Sequence, residues 1–358
     1  MSEIERLIAD AKLKANTIKE NYKIALLTNT RSKTRTINNE VISYSPNNEF
    51  FSDEEYNEVL EGIQSADYYV EPFFNEIEFI MDALVNANEK NDKWVYNLSR
   101  NGNFTGKKSL VPSFCDLLSI PYTGSNAFVI SFSRAKYIYT KYIEKHNISV
   151  PRSWVYSASN GWLHQSKPPF GTKIIIKPMH ESASIGLSNS SISIYDTNTE
   201  KQFDEQISNN SEMLVQEFIQ GFECEVPLLI STKPYALDPV GISIDGQTQL
   251  DDLILTHERS FNDLYDFYPL EQQLHKSKVE AIKTTAVQIS SLLGLRNYGR
   301  VDFRINHQGV PFLMDIAASP YTTKHSSFAF SFDKLGLNYY EIYNAIIGLS
   351  AADNSLVL

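Results

Sequence analysis

The stretch from Tyr298 to Ser319, YGRVDFRINHQGVPFLMDIAAS, constrains this chain more than any other. Two runs of strand-forming residues flank Asn306-His307-Gln308-Gly309, a set of turn formers, so the stretch reads as a β-hairpin. Side chains alternate between the two faces of a strand. Pairing Asn306 with Pro311 across the turn puts Asp302 directly opposite Asp315. Arg300, Asp302 and Arg304 then share one face with Asp315, Ala317 and Ser319. Val301, Phe303, Ile305, Met314, Ile316 and Ala318 share the other, apolar face, which the rest of the fold must cover. Facing carboxylates repel, so something positive must lie between them. Arg300 and Arg304 are at hand, and a divalent cation is the other solution. Oxygen-only ligands on a rigid hairpin suit Mg²⁺, which is commonly held by one or two carboxylates plus substrate phosphates. A metal-free arginine–aspartate network satisfies the same pattern.

At 358 residues the chain is long enough for two or three packed units. The first third alternates strand and helix signals: strands at Lys23 to Leu27, Asp67 to Phe74 and Trp94 to Leu98, and helices from Ser52, over Asn75 to Asn88 and near Lys108 to Leu118. Repeated strand–helix units predict a parallel sheet with helices on both faces. Further on, a helix is expected over Arg134 to His146, with strands at Ser153 to Tyr156, Lys173 to Lys177 and Ser191 to Tyr195. The last part predicts strands at Met213 to Ile219 and Glu223 to Ile230. A long helix should follow from Leu270 to Leu293, stopped by Gly294, and another near Tyr339 to Leu349 closes the chain. The N-terminal MSEIERLIADAKLKANTIKENY has helical spacing and reads as an amphipathic helix, not a signal peptide. No apolar run approaches the length of a membrane span. The net charge of −11 disfavours broad nucleic-acid binding, while leaving room for a local cationic pocket. Cys115 and Cys224 lie in apolar surroundings without C-x-x-C spacing, so buried free thiols in a reducing cytoplasm are expected. His164, His257, His307 and His325 show no zinc-ligand spacing.

Three further stretches could contact a nucleotide. Lys177 ends the apolar run IIIKP and precedes the small-residue loop His180 to Gly186, a combination of ammonium charge and backbone N–H groups that suits phosphate. A snorkelling lysine before an ordinary turn would look the same. Lys136 lies in the helix near Arg134, where lysines are usually solvated. Glu217 and Glu223 flank Phe218-Ile219-Gln220-Gly221 between two strands, which also fits a simple polar turn.

Together and in this order, these pieces resemble the D-alanine:D-alanine ligases, a family of the ATP-grasp class. Ile120 to Ser125 (IPYTGS) resembles the motif that closes their N-terminal domain, and Asn147 to Pro151 (NISVP) resembles their G-x-P-V-P element. IIIKP with the loop to Gly186 is similar to V-V-K-P-x-x-E-G-S-S-V-G, and VQEFIQGFECEV to V-E-E-F-I-x-G-x-E-F-T-V. GRVDF matches directly, MDIAASP corresponds to L-E-V-N-x-x-P, and Lys324-His325-Ser326 to the following x-H-S. The similarity runs from about Trp94 to the C-terminus. It implies a three-subdomain ATP-grasp architecture, mixed α/β and α+β, with an N-terminal Rossmann-like parallel-sheet domain over residues 1–126. A central lid over 127–212 and a C-terminal domain with the metal and catalytic residues over 213–358 would follow.

The resemblance also implies a reaction: ATP phosphorylates a carboxylate, and an amine attacks the acyl phosphate to form an amide with release of phosphate. Lys136 and Lys177 would hold ATP phosphates, Glu181 and Ser184 would also contact ATP, Gln216, Glu217, Phe218 and Ile219 would lie along the adenine hinge, and Glu223 would take the ribose. Asp302 and Asp315 would bind Mg²⁺, and Arg300 with Ser184 would act on the transferring group. Arg100, Lys107, Lys108, Tyr321 and Ser326 would face the substrates, a small carboxylate and an amine. Neither nucleic acid nor membrane is an expected partner, and a homodimer is compatible with the resemblance.

The chain departs from the family where substrate and metal are gripped. The Glu-x-Asn of the metal site is Asp315-Ile316-Ala317, the S-P-G element is Ser319-Pro320-Tyr321, and Ser182-Ala183 replace Gly-Ser. Gln216 replaces the first glutamate of the hinge. Thr28-Asn29-Thr30-Arg31 lacks the glycine pair and the glutamate that grips the D-alanine ammonium. Arg100, Lys107 and Lys108 stand where the family often carries acidic residues, which suggests a more anionic first substrate, although a solvated loop would also carry them. Three readings follow: an amide-forming ligase with substrates other than two D-alanines, a catalytically weak or inactive ATP-binding homologue with a regulatory or scaffold role, and a true D-alanine:D-alanine ligase.

Overall fold

The computed structural model describes residues 2–35, 49–86, 92–101, 106–181, 184–206 and 212–353. The chain opens with α1 (Glu3–Asn21), capped by a reciprocal Ser2–Glu5 capping box, and runs into β1 (Lys23–Thr28). There follow α2 (Asp53–Ser65), with the same box made by Ser52 and Glu55, β2 (Val70–Phe73), α3 (Glu76–Val85), β3 (Lys93–Leu98) and α4 (Leu110–Leu118). The three strands form a parallel sheet in the order β2-β1-β3, as the alternating signals led one to expect.

The helix expected over 134–146 is α6 (Lys136–Glu144), preceded by a helix the sequence did not suggest, α5 (Ala127–Arg134), and the two are broken at Ala135, whose φ of −87° and ψ of 69° are not helical. The break has a consequence. On a continuous helix, residues two apart point in different directions; here Arg134 and Lys136 are both buried and both line one cavity.

A second, antiparallel sheet has the order β5-β4-β8-β6-β7, from β4 (Ser153–Ser157), β5 (Gly161–Trp162), β6 (Lys173–Pro178), β7 (Ile192–Ile194) and, after α7 (Thr197–Gln206), β8 (Glu212–Glu217). Its own core packs Trp154, Tyr156, Ile174, Tyr195, Phe203 and Val215.

The third sheet has the order β12-β11-β9-β13-β14 with β10 beside β9. Its elements are β9 (Phe222–Ile230), β10 (Pro234–Ala236), β11 (Val240–Ser243), α8 (His257–Phe261), β12 (Asp266–Pro269), α9 (Lys276–Leu293), β13 (Tyr298–Ile305) and β14 (Pro311–Ala317). The long helix expected from Leu270 is shorter: a 3₁₀ turn covers Leu270–Gln272, and His275 caps α9. Gly294 ends it in a left-handed conformation (φ 71°), as expected. Strands β10 to β12 and helices α8 and α10 (Ser327–Lys334) are not among the sequence-based expectations. Helix α11 (Glu341–Asp353) ends the described chain.

The hairpin β13–β14 carries the expected contact by an unexpected route. Near the turn the pairing is Ile305 with Pro311, Arg304 with Phe312 and Phe303 with Leu313, one residue off the register assumed from Asn306 and Pro311. A bulge at Met314 then restores Asp302 opposite Asp315 and Arg300 opposite Ala317. The bulge also reassigns one side chain. Leu313 joins the apolar core with Val301, Phe303, Ile305, Ile316 and Ala318, and Met314 lines the cavity.

Helix α11 folds back to the start of the chain. Tyr343, Ile346 and Ile347 join Leu7, Ala11, Ile24, Leu26, Trp94 and Tyr96 in one core. Lys12 and Glu341 close the contact at 2.6 Å. Both cysteines are buried free thiols, as expected. No helix among the described residues is long and apolar enough to cross a membrane.

Candidate active site

A cavity of 380 Å³ is walled by residues of the second and third sheets, by helices α2, α5, α6 and α8, and by loops such as those carrying Glu49 and Arg100. At one end, the alternation of β13 presents Arg300, Asp302 and Arg304. The Arg300 guanidinium binds both oxygens of Asp302, at 2.7 and 2.8 Å, and reaches Glu225 Oε1 at 3.1 Å. Glu225 lies directly opposite Asp302 on β9. On the other side of Asp302, Asp315 Oδ1 accepts from Lys136 Nζ at 2.5 Å and from Tyr139 Oη at 3.2 Å. The hairpin carboxylates are therefore each held by a cation, in the row Glu225–Arg300–Asp302 and Asp315–Lys136. Burial, Glu225 and Asp315 push the Asp302 carboxyl up against the pull of Arg300. For Asp315, burial acts upward, but Lys136 and Lys177 hold the carboxyl below its ordinary value. Among the described residues no three histidine, cysteine or acidic side chains converge as a ready metal cage.

Lys177, on β6, is buried against the same space, and burial with the nearby charge of Lys136 lowers its ammonium to about 8. Phe218 lies on the wall beneath Arg304, whose guanidinium is 4.8 Å from the ring centre. Glu223 accepts from Arg304 at 3.4 Å, and burial pushes its carboxyl up. The turn between β8 and β9 approaches the end of β13 closely enough that a Cβ on Gly221 (φ +134°) would meet Ile305 O at 2.0 Å, so this turn requires glycine. Glu181 and Ser184 also line the cavity, and Ser184 has a positive φ of 55°. Ser182 and Ala183 lie outside the described residues.

Three hinge residues expected near the nucleotide are not on the cavity wall. Gln216 is buried and donates to Ser153 Oγ on the neighbouring β4 at 2.9 Å. Glu217 pairs with Arg152 at 2.8 Å near the surface. Ile219 is buried away from the cavity. Ser326 lines the cavity, but its hydroxyl caps α10, accepting from Ala329 N at 3.2 Å and donating to Thr323 O at 2.6 Å.

At the other end of the cavity, Arg100 and Lys108 line the wall, Lys107 lies off it, and all three meet a residue not singled out from the sequence. Glu49 is fully buried and meets Arg100 and Arg134 at 3.2 Å each, Lys107 at 3.0 Å, and Lys108. Burial acts to raise the Glu49 carboxyl, but Lys108, Lys107, Arg134 and Arg100 together hold it well below the usual carboxylate range. Arg100 lies against the adjacent rings of Phe51 and Tyr321, at 4.8 and 4.2 Å, and donates to Ser319 O at 3.2 Å. Its loop is set by buried Asn29, which accepts from the backbone N–H of Arg100 and of Asn101. Tyr321 donates to Glu49 O at 3.3 Å. Nothing local in the sequence marks Glu49. Glu225 had a signal, since its two-residue spacing from Glu223 puts both on one face of β9.

The family model for the D-ala D-ala ligase C-terminus matches residues 147–348, more than half of the chain. The chain belongs to the D-alanine–D-alanine ligase family. It is accordingly an ATP-dependent carboxylate–amine ligase of the ATP-grasp class, forming ADP and phosphate. Among curated relatives, the D-alanine–D-alanine ligase of Bordetella avium is 25% identical over 244 residues, 68% of this chain and 74% of that protein. The enzyme of Nitrosospira multiformis is 24% identical over 292 residues, 82% of this chain and 89% of its own length. The crystal structure of the Bacillus anthracis D-alanine–D-alanine ligase complexed with ATP superposes with a TM-score of 0.65 at 18% identity, covering 94% of this ligase and 99% of that chain. The D-Ala:D-Ser ligase of Enterococcus faecalis gives 0.60 at 17% identity, covering 92% and 99%. At these identities the structural likeness speaks to the fold of the ligase, and the chemistry rests on its own side chains.

Proposed function

We propose that this ligase activates a small carboxylic or amino acid as its acyl phosphate and joins it to an amine, and that its substrates are not two D-alanines. The observation that carries the chemistry is the convergence of Lys136, Lys177, Arg300, Asp302 and Asp315 on one cavity. Lys136 and Lys177 are compact point charges suited to the ATP phosphates. Phe218 and Glu223 offer an apolar face and an acceptor for base and ribose. Arg300, clamped between Asp302 and Glu225, is held ready to meet charge that develops on the transferring phosphoryl group or on the tetrahedral adduct.

Asp302 and Asp315 fit Mg²⁺, since two facing half-buried carboxylates on the cavity wall, without a full cage among the described residues, match an ion that completes its shell with phosphate oxygens and water. When bound, Mg²⁺ would neutralise phosphate charge. Arg300, which holds both oxygens of Asp302, would then share one of them, whereas Lys136 holds only one oxygen of Asp315.

The curated relatives are D-alanine ligases, but the ends of β1 and β14 argue for another substrate pair here. Asn29 stands at the end of β1 and is spent on holding the Arg100 loop, and Tyr321 packs over Arg100. ADP release with Mg²⁺ across a panel of amino acids and small carboxylic acids tests the proposal. Turnover stimulated by an acid other than D-alanine is expected; stimulation by D-alanine alone, or by no acid, sinks it. A second reading, an ATP-binding homologue with weak catalysis, is favoured by Ala317, which offers no oxygen beside Arg300. Under that reading calorimetry finds ATP binding without turnover, and Ala317→Asn raises the Mg²⁺-dependent rate.

A further inference from the structure

The cationic end of the cavity is built more firmly than a solvated basic loop. Its charges come from separate places: Arg100 follows β3, Lys107 and Lys108 precede α4, and Arg134 ends α5. All four are buried, with relative exposures of 2%, 8%, 9% and 6%. Glu49 places one oxygen on Arg100 and Lys108 and the other on Arg134 and Lys107. That is how a protein holds a bound carboxylate, with charge-assisted donors on both oxygens. Lys107 also reaches Glu181 at 3.4 Å. Among the described residues, four basic groups thus meet two acids, and gathering like charges away from water is costly unless anions accompany them. Arg100 Nε adds an independent mark, a buried donor with no hydrogen-bond acceptor among the described residues.

The cluster is tied to the reaction centre at two points. Arg134 donates to His180 O at 2.6 Å, in the loop that follows Lys177, and Arg100 donates to Ser319 O, just beyond Asp315 and Ala317 on the chain. Arg100, Lys108 and Arg134 line the same cavity as Lys136, Arg300 and Asp302. One small molecule can therefore face both ends.

We propose that Arg100, Lys107, Lys108 and Arg134 form a subsite for a second oxyanion on the acyl substrate, so that the acid activated by this enzyme is a dianion: an acidic amino acid, another dicarboxylate or a phosphorylated acid. Glu49 gathers the four cations and leaves them a positive excess among the described residues. The naming of this ligand as the acyl substrate rests on the ligase reading above; the binding of a dianion does not.

The test is calorimetric titration of the full chain, with Mg²⁺ and a non-hydrolysable ATP analogue, against alanine, aspartate and glutamate in both configurations, succinate and O-phosphoserine. A dianionic acid is expected to bind at least about tenfold more tightly than alanine, the scale of one charge-assisted hydrogen bond; aspartate or succinate against O-phosphoserine tells carboxylate from phosphate. Arg100→Gln and Lys107→Gln should each remove that preference while the analogue still binds. Glu49→Gln, which takes away a competing negative charge, should strengthen dianion binding, an effect an unfolded variant cannot give. Equal binding of alanine and the dianions, no binding by any acid, or a loss confined to the analogue (which would make the cluster a contact for the terminal phosphate) overturns the proposal. ADP release over the same acids separates the two readings. A dianion that binds without turnover leaves the subsite standing and removes the ligase reading, and turnover with monoanionic acids alone does the reverse.

Discussion

Lys177 is buried beside Lys136, and both effects favour its neutral form, which lowers it to about 8. The unfolded chain, with an ordinary lysine near ~10.4, holds more protons than the folded one between those two values. Stability from this group therefore rises with pH across that window, and the charged form is the strained one below it. Phosphate reverses the preference, because it stabilises the ammonium. Affinity for an ATP analogue should be strongest below pH about 8 and weaken above it, and Lys177→Met should be weak and flatter across the same range. Calorimetry at three pH values checks this, and an unchanged slope in the variant would show that another group titrates. At Asp302 the expectation is kinetic. Asp302→Asn removes the carboxylate that clamps Arg300 and faces Asp315, so turnover should fall by about a hundredfold or more, with ATP binding largely kept. At this scale the sequence was partly legible. Lys136, Lys177, Arg300, Asp302 and Asp315 belong to ordered motifs, whereas Glu49 has no local pattern and acquires meaning only when Arg100, Lys107, Lys108 and Arg134 are folded around it.

Elements were legible where period and punctuation agreed. Capping boxes at Ser2 and Ser52, the stop at Gly294 and the hairpin turn each have a local cause that a sequence displays. Breaks set by the fold do not. The kink at Ala135 and the bulge at Met314 carry no glycine or proline to announce them, yet the kink turns Arg134 and Lys136 to one cavity and the bulge sets Asp302 against Asp315. Helix α11 offers a prediction at this scale. By propensity alone, alanine in place of a glycine inside a helix gains roughly 1 kcal/mol. At Gly348, however, a Cβ would lie 1.9 Å from the Ala11 carbonyl oxygen. Backbone cannot move aside as a side chain can, and overpacking typically costs about 1–3 kcal/mol. The clash wins, so Gly348→Ala should lower stability, by up to about 2 kcal/mol once the helix-propensity gain is subtracted, measured as a shift in the denaturant midpoint. A stabilised variant would mean that α1 and α11 can move apart freely.

For the whole molecule, the parallel sheet does not close its own core. One face of β1 and β3 packs Ala25, Leu27 and Val95 against α3 and α4 residues such as Phe79 and Cys115. The other face, with Ile24, Leu26, Trp94 and Tyr96, packs α1, α2 and, from the far end of the chain, α10 and α11. Trp94 Nε1 donates to Ser350 Oγ at 2.9 Å, and Tyr96 Oη lies 3.3 Å from Thr322 Oγ1. The proposed N-terminal unit of residues 1–126 is thus continuous in sequence but incomplete as a core. Burying a large apolar side chain contributes roughly 1.5–3 kcal/mol, and the fragment forgoes the contacts of Phe328, Phe332, Ile342, Tyr343, Ile346 and Ile347. That loss is comparable to the whole net stability of a small domain, about 5–15 kcal/mol. A fragment of residues 1–126 should therefore lack a cooperative thermal transition. Adding a chain of residues 320–358 in trans should restore one, with the Trp94 environment as the fluorescence reporter. Cooperative unfolding of the fragment alone would show that the sheet and α1 to α4 hold themselves together without α10 and α11.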